Sequence, residues 1–485
     1  MPDVRSLFRY GSRLLIALSV SLSNCTMGPD FVPPKPALPT QWQNSSPSVS
    51  SRPITPEWWK MFNDPALDSL MRRAALGNPD MAMAIERIKA ERIQRGAVSA
   101  EGMPKLNAQA SYSRERLGTA GVGDVLKPLL GIGSDEGGSG PDGVTYSNYS
   151  LGGAASWELD LWGRQRRMQE TADAEYTAVQ ADGDALRLSL QAEIARTYFQ
   201  WRYLNDALNR TETKLDIAQK TLNIAHAVQS RGLLAPVDLD DQKTLCHRYL
   251  AERYELDTKR VSLQRALATL VTGRPDTVLP ELSHPAPLQS QKIPHITPDI
   301  PSEIARNRPD IRAAEARLHA ATAAIGVAKA DFYPRVLLTG QFSVDALTVA
   351  QLGWNARNTS FGPSISLPIF NGGRLSRQLE LRHSQERSAG IAYQMTVMNA
   401  WREIEDILAK QRFFNSRHED LLQTLEEKKM HTNAQRQRYN HGDVARTDVL
   451  ATDLSEYETE ADIDQVVMAL LINDVDLSAA LGNRR

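Results

Sequence analysis

This chain of 485 residues has few cysteines, almost no net charge and few long apolar runs. Its two cysteines, Cys25 and Cys246, cannot by themselves form a disulfide framework or a four-ligand zinc site. The 56 basic and 58 acidic side chains nearly cancel, which argues against a nucleic-acid-binding protein, because such proteins carry a basic face. Beyond residue 25, no apolar run approaches the roughly 20 residues that a membrane helix needs. These counts alone describe a soluble, polar, helical protein, although membrane strands leave almost no trace in bulk composition.

The N-terminus has the pattern of an export signal. Three arginines precede a short apolar stretch at residues 14–22, which is too short to remain as a spanning helix. The stretch leads to Cys25 and resembles the lipobox of bacterial lipoproteins, in which the cysteine is lipidated and becomes the first mature residue. Asn24 stands where a lipobox usually has a smaller residue, so an ordinary cleaved signal with an incidental cysteine is the alternative. We predict a signal peptide over residues 1–24 and lipidation at Cys25.

The chain contains an internal duplication. Motifs of the first half recur 230 positions later as far as Pro104, and 210 positions later beyond a loop around residues 117–147. The matched pairs include Asn78-Pro79-Asp80 with Arg308-Pro309-Asp310, Gly163 with Gly373, Gly232 with Gly442, and Asp238 with Asp448. Matches at a constant spacing in so many places predict that the two halves are structural copies.

Each half has the same order of predicted elements. A helical segment (roughly 66–101 or 302–331) precedes a β-hairpin, a long proline-free helix (165–230 or 375–440) and a shorter helix (238–271 or 448–481). At 1.5 Å per residue the long helices would extend about 100 Å and the shorter ones about 50 Å. A closed ring of antiparallel helices fits these lengths better than a dimeric coiled coil, because no sustained a/d heptad is present.

Five segments are predicted along the chain. They are the signal peptide (1–24), a Pro/Ser-rich N-terminal arm (25–65), a first repeat (66–273), a Pro-rich equatorial linker (274–301) and a second repeat (302–485). The arm contains too few apolar residues to fold alone, and the linker separates the two halves.

Four short segments alternate between apolar and polar residues, which predicts β-strands. They lie at residues 106–113, 149–161, 336–345 and 360–369. Their length and alternation fit tilted outer-membrane strands, although a half-buried soluble sheet shows the same pattern. Four strands cannot close a barrel, and open strand edges are not tolerated in lipid, so a membrane sheet would need several copies of the chain.

Residues with catalytic or cofactor-binding patterns are missing. The nine histidines are dispersed, and none has an HExxH or Cys/His metal spacing. The Gly-rich loop at 117–147 lacks the Lys-Ser/Thr of a phosphate-binding loop, and is typical of an extracellular connection. Cys246 is alone on a predicted helix, which favours a packed thiol. We predict no enzyme activity, no cofactor and no metal.

Several motifs together resemble the outer-membrane efflux duct family, the TolC-like proteins, and within it the lipidated OprM/NodT-type branch. These motifs are Cys25 with Gly28-Pro29-Asp30-Phe31, Trp157 to Arg164, Phe361 to Arg374, and Asn307 to Ile311 with Phe332-Tyr333-Pro334. The resemblance covers almost the whole chain. It implies an α+β membrane protein, in which four β-strands per chain contribute to a trimeric twelve-stranded outer-membrane β-barrel that continues into a long periplasmic α-helical barrel.

The same resemblance implies where the protein acts and with what. It implies a homotrimer in the outer membrane of a Gram-negative bacterium, lipid-anchored and extending into the periplasm. A periplasmic adaptor (membrane fusion) protein and an inner-membrane pump supply the energy, outer-membrane lipid surrounds the strands, and nucleic acid is not a partner. Thr26, which is not aspartate, is compatible with sorting to the outer membrane.

The resemblance also places a gate and an adaptor-docking tip at the turns between long and short helices. The residues concerned are Arg231, Gly232 and Asp238 in the first turn and Gly442, Asp443, Arg446 and Asp448 in the second. The simpler alternative is helix capping, in which the glycines end a helix and the aspartates lie in the first turn of the next. Pro236 departs from the family pattern, which makes docking at the first turn less certain than at Gly442.

The resulting functional hypothesis is a duct of a tripartite efflux system that exports small molecules such as drugs or toxic compounds. Two alternatives remain at this point: a TolC-like duct for protein secretion, and a non-conducting periplasmic scaffold lipoprotein. The lipobox and the Gly28-Pro29-Asp30 arm favour small-molecule efflux, whereas the four alternating segments argue against a scaffold.

Overall fold

The computed structural model describes residues 26–35, 39, 42–43, 56–117, 144–283, 285–294 and 307–482. The first half comprises α1 (Pro65–Gly77), α2 (Pro79–Glu101), β1 (Lys105–Leu117), β2 (Val144–Leu159), α3 (Arg164–Gln229) and α4 (Pro236–Thr272). The second half comprises α5 (Pro309–Ala330), β3 (Arg335–Ala346), β4 (Arg357–Ser366), α6 (Arg374–His441) and α7 (Arg446–Leu481). Cys25, the predicted signal peptide and most of the Gly-rich loop lie outside the described residues.

The predicted duplication is confirmed by the order and spacing of these elements. α2 and β1 begin 230 positions before α5 and β3, whereas α3 and α4 begin 210 positions before α6 and α7. The long helices have 66 and 68 residues, as the absence of proline predicted. The two halves therefore repeat one unit of helix, hairpin, long helix and shorter helix.

The helical segment predicted over 66–101 is divided into α1 and α2 at Asn78, and the helix opening predicted at Asn78-Pro79-Asp80 is confirmed. Asn78 has extended backbone angles (φ −79°, ψ 125°), because a residue before proline is pushed out of the helical region. Its side-chain oxygen accepts a hydrogen bond from Met81 N–H at 3.0 Å, so that Asn78 caps the start of α2.

Two strands stop short of their predicted ends at the helix junctions, whereas at the loop ends β1, β2 and β4 extend past the prediction, to Leu117, Val144 and Arg357. β2 stops at Leu159 rather than at residue 161, because the Asp160 carboxylate turns away to accept hydrogen bonds from the N–H groups of Gln165 and Arg166, both at 3.0 Å. β4 stops at Ser366 rather than at residue 369, and Pro368 beyond it has no N–H to donate to a ladder. The end of β2 is thus set by local hydrogen bonding rather than by apolar alternation.

The four strands form one antiparallel sheet in the order β1-β2-β3-β4. The two predicted hairpins are joined because β2 pairs with β3, with Leu151 opposite Val344 and Trp157 opposite Leu338. β1 and β4 are the edge strands. This sheet belongs to a first compact unit, the strand unit, which contains residues up to 32, 92–174 and 319–388.

The second compact unit, the helical unit, contains residues 33–91, 175–318 and 389–485. Its main core is built from large side chains, among them the fully buried Trp58, Phe62, Phe199 and Trp201. Aromatic rings of this size bury the most apolar surface per residue and so dominate the free energy of packing. None of the helices in the described ranges has both the length and the apolar composition required to cross a membrane.

Candidate functional site

The strand register gathers the apolar residues of all four strands on one face of the sheet, which we call the apolar face. Tyr112 lies opposite Tyr149, Gly153 opposite Phe342, and Gly340 opposite Phe361. Many large side chains of this face are exposed within the single chain: Leu106 is 81% exposed and Phe361 is 91% exposed. A face this apolar and this exposed needs lipid or another chain to cover it.

The opposite face of the sheet is polar. Gln109, Ser150 and Ser343 lie on it, and Asp345 accepts hydrogen bonds from Ser343 Oγ and Asn358 Nδ2, both at 2.7 Å. Apolar side chains facing lipid and polar side chains facing a lumen are the arrangement of membrane β-barrel strands.

Aromatic side chains lie towards both ends of the strands. Near the ends that join the helices, Trp162 packs on Tyr333 with ring centres 4.9 Å apart, and its Nε1–H donates to Pro334 O at 2.7 Å. Towards the opposite ends, Tyr112 packs on Tyr149 at 4.8 Å. Two such groups separated by an apolar band are typical of strands whose ends lie at the two membrane–water interfaces.

Residues 27–31 of the N-terminal arm are clamped onto the rest of the strand unit. Met27 N–H donates to Trp162 O at 3.0 Å, and Arg167 donates to Met27 O at 3.1 Å and to the Asp30 carboxylate at 2.6 Å. The Phe31 ring stacks on His319 with ring centres 4.4 Å apart. Residues 27–31 are therefore held beside the junction of β2 and α3.

Two glycines make this clamp possible. Gly28 has φ +97°, and a Cβ at that position would lie 2.4 Å from the Cα of Gly326. Gly163 has φ +76°, and a Cβ there would lie 2.6 Å from Thr26 Cγ2. Only residues without a side chain permit this approach of the arm. Arg167, Gly326 and His319 were not predicted, because no local motif marks a contact so distant in the sequence.

The first predicted tip turn, between α3 and α4, is a helix-capping motif. Gly232 has φ +76°, its N–H donates to Gln229 O at 2.8 Å, and Leu233 N–H donates to Val228 O at 3.2 Å. This pair of bonds satisfies carbonyls at the end of α3. Arg231 and Asp238 are exposed.

The second predicted turn, between α6 and α7, repeats the motif. Gly442 has φ +86°, and its N–H and that of Asp443 donate to Tyr439 O and Arg438 O, both at 2.9 Å. The Asp448 carboxylate accepts the Ala445 N–H at 3.0 Å, and the Arg446 guanidinium lies over the Tyr439 ring at 5.5 Å. The capping role of both glycines is thus confirmed.

The charged tip residues have no charged partner in the described part of the chain. None of Arg231, Asp238, Asp443, Arg446 and Asp448 forms an ion pair with another described residue. Their charges are exposed to solvent and available to another copy of the chain or to another protein. Docking and gating at these turns remain predictions.

The described residues offer few groups that could bind a metal ion or act as a nucleophile. No group of three or more His, Cys, Asp or Glu side chains assembles there in a way that could hold a metal ion. Cys246 is a half-buried free thiol, and burial raises the pKa of this thiol, which lowers its reactivity.

Comparison with known proteins points to one family. A model of the outer membrane efflux protein family matches residues 70–273 and 300–483. The solvent efflux pump outer membrane protein SrpC of Pseudomonas putida is 29% identical over 98% of this chain and 98% of its own. Nodulation protein T of Rhizobium leguminosarum bv. viciae is 29% identical over 98% of this chain and 93% of its own. The solved structure of the outer-membrane channel OprN covers 95% of this chain and 99% of its own, with 28% identity and a TM-score of 0.82.

Proposed function

Because the chain belongs to the outer membrane efflux protein family, we propose that it is the passive outer-membrane duct of a tripartite system that exports small toxic molecules. The similarity to nodulation protein T confirms the predicted branch, and the similarity to OprN confirms the predicted channel fold. The observation that carries the function is the strand register, which separates an exposed apolar face from a polar one. The name of SrpC, a solvent efflux protein, supports small organic molecules as cargo rather than secreted proteins.

The duct works as a homotrimer in this proposal. β1 and β4 each have one edge without a strand partner in the described chain, and three four-stranded sheets joined at these edges would close a twelve-stranded barrel. In the helical unit, α6 carries an exposed apolar stripe whose spacing of four and three residues keeps Ile391, Met395 and Met398 on one helix face. Such a stripe is suited to packing against α-helices of a second copy.

The helix turns form the docking surface for the periplasmic adaptor, which in turn connects the duct to the inner-membrane pump. Both turns are exposed and are capped by the same pair of backbone hydrogen bonds, which supports this proposal. Gly442, Asp443 and Arg446 form the stronger candidate, since the second turn lacks the proline of the first. Arg–Asp pairs between neighbouring copies at Arg446 and Asp448 would hold the tip closed.

Lipidation of Cys25 adds an anchor to the same membrane. Thr26, the next residue, contacts Gly163, which lies four positions after the end of β2. The clamp of residues 27–31 would therefore hold a lipid on Cys25 close to the end of the sheet, where the membrane boundary is expected.

Conductance and resistance together test the proposed function. Purified protein should conduct ions in planar bilayers and migrate as a trimer that heating dissociates, and its expression should restore organic-solvent resistance to a strain lacking its own duct. The double variant Phe361→Asp, Ile365→Asp, which charges the apolar face, should do neither, while Gln109→Asp on the polar face should retain both. Absence of conductance and of a trimer would favour the scaffold alternative. Restored protein secretion without solvent resistance would favour the secretion duct.

A further inference from the structure

A cavity of about 240 Å³ lies in the helical unit between α3, α7 and the Pro-rich linker. Its lining includes six polar side chains: Asp206, Asn209 and Arg210 of α3, Gln289 of the linker, and Tyr457 and Asp464 of α7. Those of α3 share one helix face, and so do those of α7, because they are three, four or seven positions apart. Drug-sized ligands occupy pockets of roughly 300–1,000 Å³, so this cavity suits a smaller molecule.

Asp464 contributes a buried oxygen that lacks a donor. The residue is 1% exposed, and its Oδ2 accepts a hydrogen bond from the Arg210 guanidinium. Its Oδ1 is also buried and accepts no hydrogen bond from any described residue. Arg210 donates to Glu460 as well, and Glu460 lies 3.8 Å from the Lys429 ammonium. Burying a carboxylate oxygen without a donor is unfavourable, and a donor bound in the cavity would remove that cost.

Asp206 adds a second carboxylate to the cavity. Its Oδ2 accepts the Leu288 N–H at 2.6 Å, which ties α3 to the linker. The nearby Arg202 guanidinium is paired instead with Asp64 at 2.8 Å. Partial burial and the neighbouring charge of Asp464 raise the pKa of Asp206 above its usual value. A cation in the cavity would favour the charged form of both carboxylates.

The other lining groups suit an N–H donor better than a metal ion. Asn209 and Gln289 each offer an amide oxygen, and Tyr457 offers a phenolic oxygen and an aromatic ring whose face attracts cations. These are neutral groups, and the described residues contain no cluster of three or more His, Cys, Asp or Glu side chains suited to a metal ion. A primary ammonium group carries one positive charge and three N–H donors, which the two carboxylates and the neutral oxygens can accept.

We propose that this cavity binds the protonated amino group of a small primary amine, with Asp464 Oδ1 and the Asp206 carboxylate as the principal acceptors. The charges agree with this ligand, since Asp206, Asp464 and Glu460 face only Arg210 and Lys429, which leaves one negative charge among them. The bound amine would connect α3, α7 and the linker and so stabilise the helical unit. All of these residues belong to one chain, so the site does not depend on the proposed duct function.

Titration of the purified full-length protein with butylammonium chloride at pH 7 tests the proposal. Calorimetry should give one site per chain, and the midpoint of thermal unfolding should rise with the butylammonium concentration. Asp206→Asn should weaken binding by about tenfold or more, because a charged acceptor is lost while an amide oxygen remains for the Leu288 N–H. Asp241→Asn is the matched control, since it removes an exposed carboxylate near the start of α4, and it should bind as the wild type does.

Two further cations separate a specific site from a general effect of charge. Butyltrimethylammonium has the same chain and charge but no N–H donor, and it should bind at least about tenfold more weakly than butylammonium. Equal binding of the two would overturn the proposal, and so would equal stabilisation by potassium chloride at the same ionic strength.

The variants decide where the amine binds. Asp464→Asn should weaken binding as Asp206→Asn does; if Asp464→Asn fails to fold because Arg210 loses a charged partner, Asp206→Asn decides alone. Undiminished binding of butylammonium by a folded Asp206→Asn variant would place the amine elsewhere and overturn the proposal. Absence of butylammonium binding to the folded wild-type protein would overturn it as well.

Discussion

At the scale of single residues, Asp64 has two roles in the helical unit: it caps a helix and it pairs with a buried arginine. Its carboxylate caps α1 by accepting hydrogen bonds from the N–H groups of Ala66 and Leu67 at 2.9 and 3.2 Å. It also accepts hydrogen bonds from Tyr198 Oη at 2.9 Å and from the buried Arg202 guanidinium at 2.8 Å. Arg202 in turn donates to carbonyls of the Pro-rich linker, so that arm, linker and long helix share one buried network.

Replacing Asp64 should therefore destabilise the protein strongly. The variant Asp64→Ala should lower the free energy of unfolding by about 3–5 kcal/mol, because the buried Arg202 would lose its charged partner. Denaturant unfolding followed by tryptophan fluorescence measures this. Asp80→Ala, at an exposed first-turn acid of α2, is the control and should cost less than about 1 kcal/mol. Equal losses in both variants would show that the network adds little beyond capping.

The buried carboxyl group of Asp474 in α7 predicts that the stability of the protein depends on pH. It is 1% exposed, its Oδ2 has no hydrogen-bond partner among the described residues, and burial raises its pKa from 3.8 to about 8. Because the folded state holds the proton more tightly than the unfolded state, its contribution to stability is complete below pH 4 and is lost as the pH rises towards 8. Asp474→Asn should abolish this loss, so the wild type should lose more stability than the variant between pH 5 and pH 9. If the wild type and the variant lose the same stability between the two pH values in thermal melts, the prediction is contradicted.

At the scale of elements, the tip turns combine a fixed backbone with exposed charges. The glycines end the long helices by the same pair of bonds in both halves, so the two turns share one pattern of backbone hydrogen bonds. Asp448 differs from its repeat counterpart Asp238, since it also holds the Ala445 N–H. A variant at Asp448 therefore changes both a helix cap and a charge. A test of gating needs a second variant that removes the cap without reversing the charge.

Charge reversal at the second turn should open the duct. Arg446→Glu or Asp448→Arg should raise the conductance of the closed state severalfold in planar bilayers, because repulsion would replace attraction between neighbouring tips. Asp448→Ala removes the cap without reversing the charge and should have the smaller effect. Unchanged closed-state conductance in both reversal variants would exclude a gating role for these residues.

At the scale of the whole molecule, closure of the sheet depends on other copies of the chain. Two strands separate β1 from β4 within the sheet, so a residue on one edge cannot reach the other edge of the same sheet. A cross-link between the two edges therefore reports contact between copies.

Cysteines placed at the two edges should cross-link neighbouring copies. In a Cys246→Ser background, Arg116→Cys with Arg357→Cys should yield dimer and trimer bands on denaturing gels after treatment with a short bismaleimide. Tyr149→Cys with Ala346→Cys joins strands that pair within one sheet and should leave the monomer mass unchanged. Exclusive monomer from the edge pair, under conditions where the control pair reacts, would contradict closure between copies.

The sequence by itself determined the duplication, the lengths of the long helices and the four alternating strands. These features depend on local periodicity and on the positions of proline and glycine, which neighbouring residues encode directly. The capping glycines Gly232 and Gly442 were predictable for the same reason. The strand end at Asp160 was missed, because its carboxylate bonds to backbone N–H groups in competition with the regular pattern.

Only the tertiary structure decided which distant residues meet. The register of β2 with β3 joined two hairpins into one apolar face. The clamp of residues 27–31 on Arg167 and Gly326 and the Asp64–Arg202 pair join segments more than 100 positions apart. Contacts of this kind depend on how complete elements pack, and no short stretch of sequence carries that information.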